Sequence, residues 1–179
     1  MDNPFTDVTF TPGTQDAISR ARRHSYGDLL HRTARRDPGK LAVVAGDLRV
    51  SFAEFDVAVN RCAHALAGRG VAKGDRLALL SHNCWEYVVL VFATARLGVV
   101  LVPVNFMLGA DEVAYILRHS GAKGVIAEDA LAGTAEEALR AAGRPEWLSG
   151  LLYGSHCWGP ASSRVFLSSG EAVHQLASP

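Results

Sequence analysis

Arg76-Leu77-Ala78-Leu79-Leu80, Val99-Val100-Leu101-Val102-Pro103-Val104 and Gly124-Val125-Ile126-Ala127 decide the fold. Each is a short, nearly unbroken apolar run, the pattern of a strand buried on both faces. A helical pattern runs from a cap at Asn83 to about Leu97, where Gly98 stops it. Its inner side is expected to carry Trp85, Val88, Val89 and Phe92. A second helix opens at Asp111-Glu112, continues through Val113, Ile116 and Leu117, and closes at Ser120-Gly121. A last helix is expected from about Leu131 to Ala142. Doubly buried strands alternating with helices predict an α/β fold with parallel-sheet β-α-β-α-β layers and flanking helices.

Upstream, Ser51-Phe52-Ala53-Glu54 is a capping box: a hydroxyl and a carboxylate three residues apart satisfy each other's backbone amides. It opens a helix in which Phe52, Phe55, Val59, Cys62 and Leu66 recur at steps of three or four and share one buried face. Before it, Leu41 to Ala45 and Leu48 to Val50 read as a hairpin turned at Gly46-Asp47. An earlier helix is signalled by Ser25-Tyr26-Gly27-Asp28 and ends before Pro38. The chain therefore divides into an N-terminal arm (1–24), an α/β portion (25–143) and a tail (144–179). The tail is rich in Ser, poor in charge and without clear periodicity. It reads either as an irregular loop leading to a next element or as an out-of-frame or otherwise foreign end.

The 179 residues are 49% hydrophobic and 20% charged, a globular balance, and the formal net charge is zero. That gives no basis for general attraction to nucleic acid. The apolar stretch from Tyr87 to Val104 contains Arg96, Gly98 and Pro103, so no membrane span is expected. Cys62, Cys84 and Cys157 form no C-x-x-C pair, and Met1-Asp2-Asn3-Pro4 does not open a signal pattern. Both features point to a reducing cytoplasm.

The motifs of common chemistries fail one by one. Gly68-Arg69-Gly70 with Gly74 has the wrong spacing for a dinucleotide loop and follows a helix, not a strand. Gly39-Lys40 lacks the upstream Gly and the following hydroxyl of a Walker loop. His82 with Cys84, and His156 with Cys157, offer two ligands each, too few to close a zinc site. No G-x-S-x-G elbow is present, and the adjacency of Ser81 and His82 does not make a nucleophile–base pair. No catalytic and no metal-binding residue is assigned.

Taken in order, other segments carry a resemblance. They are Leu41-Ala42-Val43-Val44, Ser51-Phe52-Ala53-Glu54-Phe55 with Asn60-Arg61, and the run from Gly70 to Leu80. Asn83, Glu86, Gly98, Pro103 and Asn105 follow, and Glu112-Val113-Ala114-Tyr115-Ile116-Leu117-Arg118-His119-Ser120-Gly121-Ala122-Lys123 closes the set. Together they resemble the N-terminal portion of the adenylate-forming (AMP-binding) superfamily, in its acyl-CoA synthetase (fatty-acid–CoA ligase) branch. The resemblance implies an incomplete N-terminal subdomain of that fold. It also implies a two-step reaction in the intact enzyme, with ATP, Mg²⁺ and CoA and a fatty or other carboxylic acid as substrate. The acid is first adenylated with release of pyrophosphate, and the CoA thiol then displaces AMP.

The family's Ser/Thr/Gly-rich phosphate loop, which ends in Pro-Lys-Gly, has only a partial echo here. Leu167-Ser168-Ser169-Gly170-Glu171 imitates its first part, and no Lys follows Lys123. The chain is accordingly expected to be truncated before its catalytic motifs and inactive alone. A non-catalytic α/β binding or interaction module is the alternative, with self-association through unpaired sheet edges. Ser81, His82 and Asn83, and Asn105 and Phe106, follow successive strands at the edge where such sheets bind ligands. The resemblance puts them near the acyl or CoA passage. The residues alone also allow a plainer role for Asn83, as a helix cap, and for Asn105, as a turn former.

Overall fold

The structure, a computed structural model, describes residues 26–143, the strands Gly150–Tyr153 and Val165–Ser168, and isolated positions 13, 14 and 17. The predicted cap at Ser25, the arm and most of the tail lie outside the described residues. The elements are α1 (Tyr26–Arg36), β1 (Leu41–Ala45), β2 (Leu48–Ser51), α2 (Phe52–Ala67), β3 (Arg76–Leu80), α3 (Trp85–Leu97) and β4 (Val100–Val104). They continue with α4 (Ala110–Ser120), β5 (Gly124–Glu128), a 3₁₀ turn (Asp129–Leu131), α5 (Ala132–Ala141), β6 (Gly150–Tyr153) and β7 (Val165–Ser168).

The expected capping box is present. Glu54 N–H donates to Ser51 Oγ at 3.3 Å, and Ser51 N–H donates to Glu54 Oε2 at 2.8 Å. Of the predicted inner face of α2, Phe55, Val59, Cys62 and Leu66 are buried, and Phe52 is partly so. β1 and β2 pair antiparallel as a separate two-stranded ribbon. The five-stranded sheet has the order β4-β3-β5-β6-β7. The β4/β3, β3/β5 and β5/β6 pairs are parallel, and β7 runs antiparallel to β6. The two added strands had no counterpart in the sequence pattern.

The handedness of crossovers explains the layering. The step from β3 to β4 runs one way across the sheet, and the step from β4 to β5 runs back past β3. Right-handed crossovers in opposite directions put their helices on opposite faces. Leu77, Leu79 and Ile126 accordingly pack with Val59 of α2 and Val89 and Ala93 of α3. Ala78, Leu80, Val125 and Ala127 face the other way, against Val113 and Leu117 of α4 and Ala138 of α5. Burying Leu79 and Leu80 completely contributes about 1.5–3 kcal/mol each.

Two expectations for α3 need correction. Asn83 is not its cap: Cys84 holds that position, in extended conformation and without a side-chain capping bond. Val88 is exposed, whereas Glu86, Val89, Leu90, Ala93 and Thr94 are buried. The helix is apolar on nearly every side, so periodicity could not choose the face. Packing against α1, α2 and β4 chose it.

A polar cluster ties α3 to the other two helices of its layer. Arg96 Nη2 donates to Asp56 Oδ1 at 2.8 Å and to the Gly27 carbonyl at 3.2 Å, and Arg96 Nη1 donates to Asn60 Oδ1. His31 Nδ1 lies 3.1 Å from Asp56 Oδ2. Burial works to raise the Asp56 carboxyl, but hydrogen bonds and charge from Arg96 and His31 outweigh it and hold the group below the usual carboxylate range. At this crossing α1 touches backbone. A Cβ on Gly27 would stand 2.8 Å from Arg96 Cα and 2.9 Å from Arg96 N. Gly27→Ala is therefore expected to lower stability by about 1–2 kcal/mol despite Ala's better helix propensity, because a backbone neighbour cannot rotate aside. Urea unfolding of the two proteins checks it, and equal or higher stability of the variant would show that α1 does not dock at Gly27.

Candidate functional site

Register brings three loop starts to one level. Leu80 pairs with Val104 on one side and with Ala127 on the other. The next residues along, Ser81, Asn105 and Glu128, therefore stand side by side at the C-terminal edge of the parallel strands. The chain leaves β3 toward one face of the sheet and leaves β4 and β5 toward the other. That divergence opens a crevice above β3, the position at which open α/β sheets hold ligands.

Three of the five predicted residues converge there. Ser81 is buried directly past β3, and its Oγ donates to the His82 carbonyl at 2.6 Å. The same Oγ lies 3.5 Å from Glu128 Oε2 and 3.8 Å from Cys84 Sγ. His82 N–H donates to Glu128 Oε2 at 2.9 Å, and His82 Nδ1 is 3.0 Å from the same oxygen. The Phe106 ring packs on the imidazole with centroids 4.2 Å apart and planes tilted by 37°. The His82 side chain is 46% exposed and that of Glu128 15%, so the carboxylate supports the ring from beneath. Asn83 and Asn105 do not join this cluster through their side chains. Asn83 is exposed and precedes the cap of α3. Asn105 Oδ1 accepts the Met107 N–H at 3.0 Å, which shapes the turn between β4 and α4.

Glu128 is the member of this cluster that the sequence reading missed. Its signal was an acid following the apolar run Val125-Ile126-Ala127, level with Ser81 and Asn105. The strand was ended one residue too early to reveal it. Burial works to raise the Glu128 carboxyl. Hydrogen bonds from the His82 backbone and ring, with smaller help from the His82 charge and the Ser81 hydroxyl, outweigh it and leave the group below its ordinary range. Glu86, buried in the first turn of α3, shifts the other way. Burial raises it, with the Glu128 charge adding to the rise and hydrogen bonds from its own N–H, Cys84 and Trp85 opposing it. Among the described residues, no group of three or more His, Cys, Asp or Glu could hold a metal ion, and no helix is long and apolar enough to cross a membrane.

Residues 30–153 match the AMP-binding enzyme family. The chain belongs to that family. The match runs past Gly143 to the end of β6. A long-chain-fatty-acid–CoA ligase of Mycobacterium tuberculosis is 42% identical over 104 residues, which cover 57% of this chain and 21% of that protein. The mitochondrial medium-chain acyl-CoA ligase of Rattus norvegicus is 34% identical over 125 residues, covering 69% of this chain and 20% of the relative. The chain thus spans about a fifth of the length of these curated relatives. Among solved structures, the inhibitor-bound N-terminal domain of a Mycobacterium tuberculosis fatty acyl-CoA ligase superposes with a TM-score of 0.66 at 38% identity. That superposition covers 73% of this chain and 33% of that domain. A long-chain-fatty-acid–CoA ligase from Rhodopseudomonas palustris gives 0.67 at 30% identity, covering 78% and 35%. The α/β class and the parallel arrangement of β3, β4 and β5 expected from the sequence are those of this family's N-terminal region.

The two carboxylates give opposite pH dependences. Glu128 has a folded pKa below its unfolded value near 4.5, so its stabilisation is present above that pH and is lost as pH falls through the folded value. Glu86 has a raised folded pKa, so its contribution is present below about pH 4.5 and lost as pH rises. Glu128→Gln is expected to cost about 1 kcal/mol at pH 7 and much less at pH 3.5. Glu86→Gln is expected to be neutral or stabilising at pH 7. Unfolding free energies of both variants at the two pH values test this, and a pH-independent penalty for Glu128→Gln would show that its charge is not engaged.

Proposed function

We propose that this chain supplies the N-terminal part of an acyl-CoA ligase, which adenylates a fatty or other carboxylic acid with ATP and then transfers the acyl group to CoA. The observation that carries the reading is the match of residues 30–153 to the AMP-binding enzyme family, joined to the crevice at Ser81, His82 and Phe106. In this reading the loops after β3 and β4 wall the passage for the acid or CoA. Mg²⁺ and the ATP phosphates are held by residues outside those described.

We further infer a cytoplasmic protein, on the strength of its few cysteines, which form no C-x-x-C pair in the sequence, and division into an arm, an α/β core and a tail. The parallel pairing of Gly150–Tyr153 with β5 supports carrying the core as far as Tyr153. Among the described residues β4 is an edge strand with Val100 and Pro103 exposed, and this surface supports self-association or burial under further chain.

The purified 179-residue chain is expected to give no fatty-acid-dependent ATP–pyrophosphate exchange. A chimera in which residues 30–153 replace the matching segment of the Mycobacterium tuberculosis ligase is expected to retain exchange. Robust exchange by the chain alone would overturn the dependence on other residues. A folded but inactive chimera would sink the ligase reading, and a thermal shift of the chain with CoA or a nucleotide would then favour a binding module.

A further inference from the structure

We propose that Glu128 is the positioning residue of this crevice. It holds His82 with the Nδ1–H donated to its carboxylate and the Nε2 presented as an acceptor for the amide- and thiol-bearing arm of CoA. The proposal rests on the reading that the crevice lies on the CoA passage.

The tautomer follows from the geometry. One oxygen, Glu128 Oε2, faces both the His82 backbone N–H at 2.9 Å and the ring Nδ1 at 3.0 Å. An ionised carboxylate only accepts, so in the neutral ring the proton must sit on Nδ1, leaving a bare lone pair on Nε2. The Ser81 Oγ, 3.5 Å from the same oxygen, adds to what favours the charged carboxylate. Phe106 fixes the ring's remaining freedom by packing on its face at 4.2 Å. Three strands thus contribute to one oriented imidazole: β3 brings His82, β4 brings Phe106 and β5 brings Glu128.

An acceptor selects a donor. The fatty acid's carboxylate, its alkyl chain and the phosphates of ATP or AMP offer no hydrogen to Nε2 at neutral pH. The pantetheine arm offers two amide N–H groups, a hydroxyl and a thiol. Its short alkyl links also suit the apolar lip of Phe106 and Met107, which are 39% and 75% exposed. The adenine amino group and the ribose hydroxyls are the other donors in the system, and AMP serves to test them.

The experiment is long-range ¹H–¹⁵N correlation on the histidine-labelled 179-residue chain near pH 7.5. The folded wild type is expected to show His82 with protonated Nδ1 and bare Nε2. Glu128→Ala is expected to release the ring toward the Nε2–H form favoured in water. Glu128→Gln keeps an acceptor oxygen and is expected to keep the tautomer. CoA is expected to shift His82 Nε2 and the Phe106 ring signals where AMP does not, and to bind Glu128→Ala about tenfold more weakly. An Nε2–H tautomer in the folded wild type, or no change in Glu128→Ala, would overturn the positioning role. The CoA passage would still stand if CoA moved the Phe106 signals. A locked tautomer that CoA leaves untouched, or that AMP shifts equally, would overturn the passage reading and the ligand assignment with it. If Glu128→Ala does not fold, the wild-type tautomer and its retention in Glu128→Gln decide the question.

Discussion

Leu77 and Leu79 on one face of β3, and Ala78 and Leu80 on the other, are each at most 5% exposed, so this strand has no solvent side. A strand of that kind needs hydrogen-bonding neighbours along both edges and helices over both faces. β4 and β5 supply the edges, which requires the chain to reverse direction across the sheet. The reversal in turn sends α3 to one face and α4 and α5 to the other. The layer order, the two separate cores and the diverging loops are one solution to the burial of four residues. The glycines that end α3 and α4, Gly98 and Gly121, take positive φ and turn the chain back toward β4 and β5 within a few residues, so the crossovers stay short.

The crevice is a by-product of the same reversal. Loops that leave adjacent strands toward opposite faces cannot cover the ground between them. Polar groups at strand ends therefore meet there without the cost of burial within the sheet. Ser81 and Glu128 lie at that level, one row beyond the last fully paired apolar residues, and His82 follows directly after Ser81. Their hydrogen bonds also tie β3 to β5 at the point where the ladder stops, so the groups that would meet a ligand also close the end of the sheet.

The fold was legible in the sequence because its signals are local and redundant. Apolar runs mark β3, β4 and β5, and glycines or a capping box mark the helix ends. What failed was information that only packing supplies. Val88 and Leu90 of α3 are both aliphatic, and nothing local says which faces α2 and the sheet. Asn83 is a good cap by type, yet the backbone turns one residue later and Cys84 takes the position. In the site, Ser81, His82 and Phe106 could be placed by counting from strand ends. Their mutual contacts depend on the strand order β4-β3-β5, which the sequence does not state. Glu128 needed the register as well, since only pairing of Leu80 with Ala127 sets it beside Ser81.

The charges at this edge constrain what it can bind. Glu128 is held ionised by its donors, and its field is one reason that Glu86, a helix turn inside, resists ionisation. Among the described residues, no lysine or arginine hydrogen-bonds or ion-pairs with Glu128. A bare anion entering the crevice would meet the Glu128 carboxylate. A triphosphate is a poor occupant of such a surface, and a neutral chain of amides is a good one. The electrostatics therefore separate two tasks that the family's chemistry combines. On the proposed reading this edge takes the uncharged arm of a thiol substrate, and the neutralisation of phosphate charge falls to other residues.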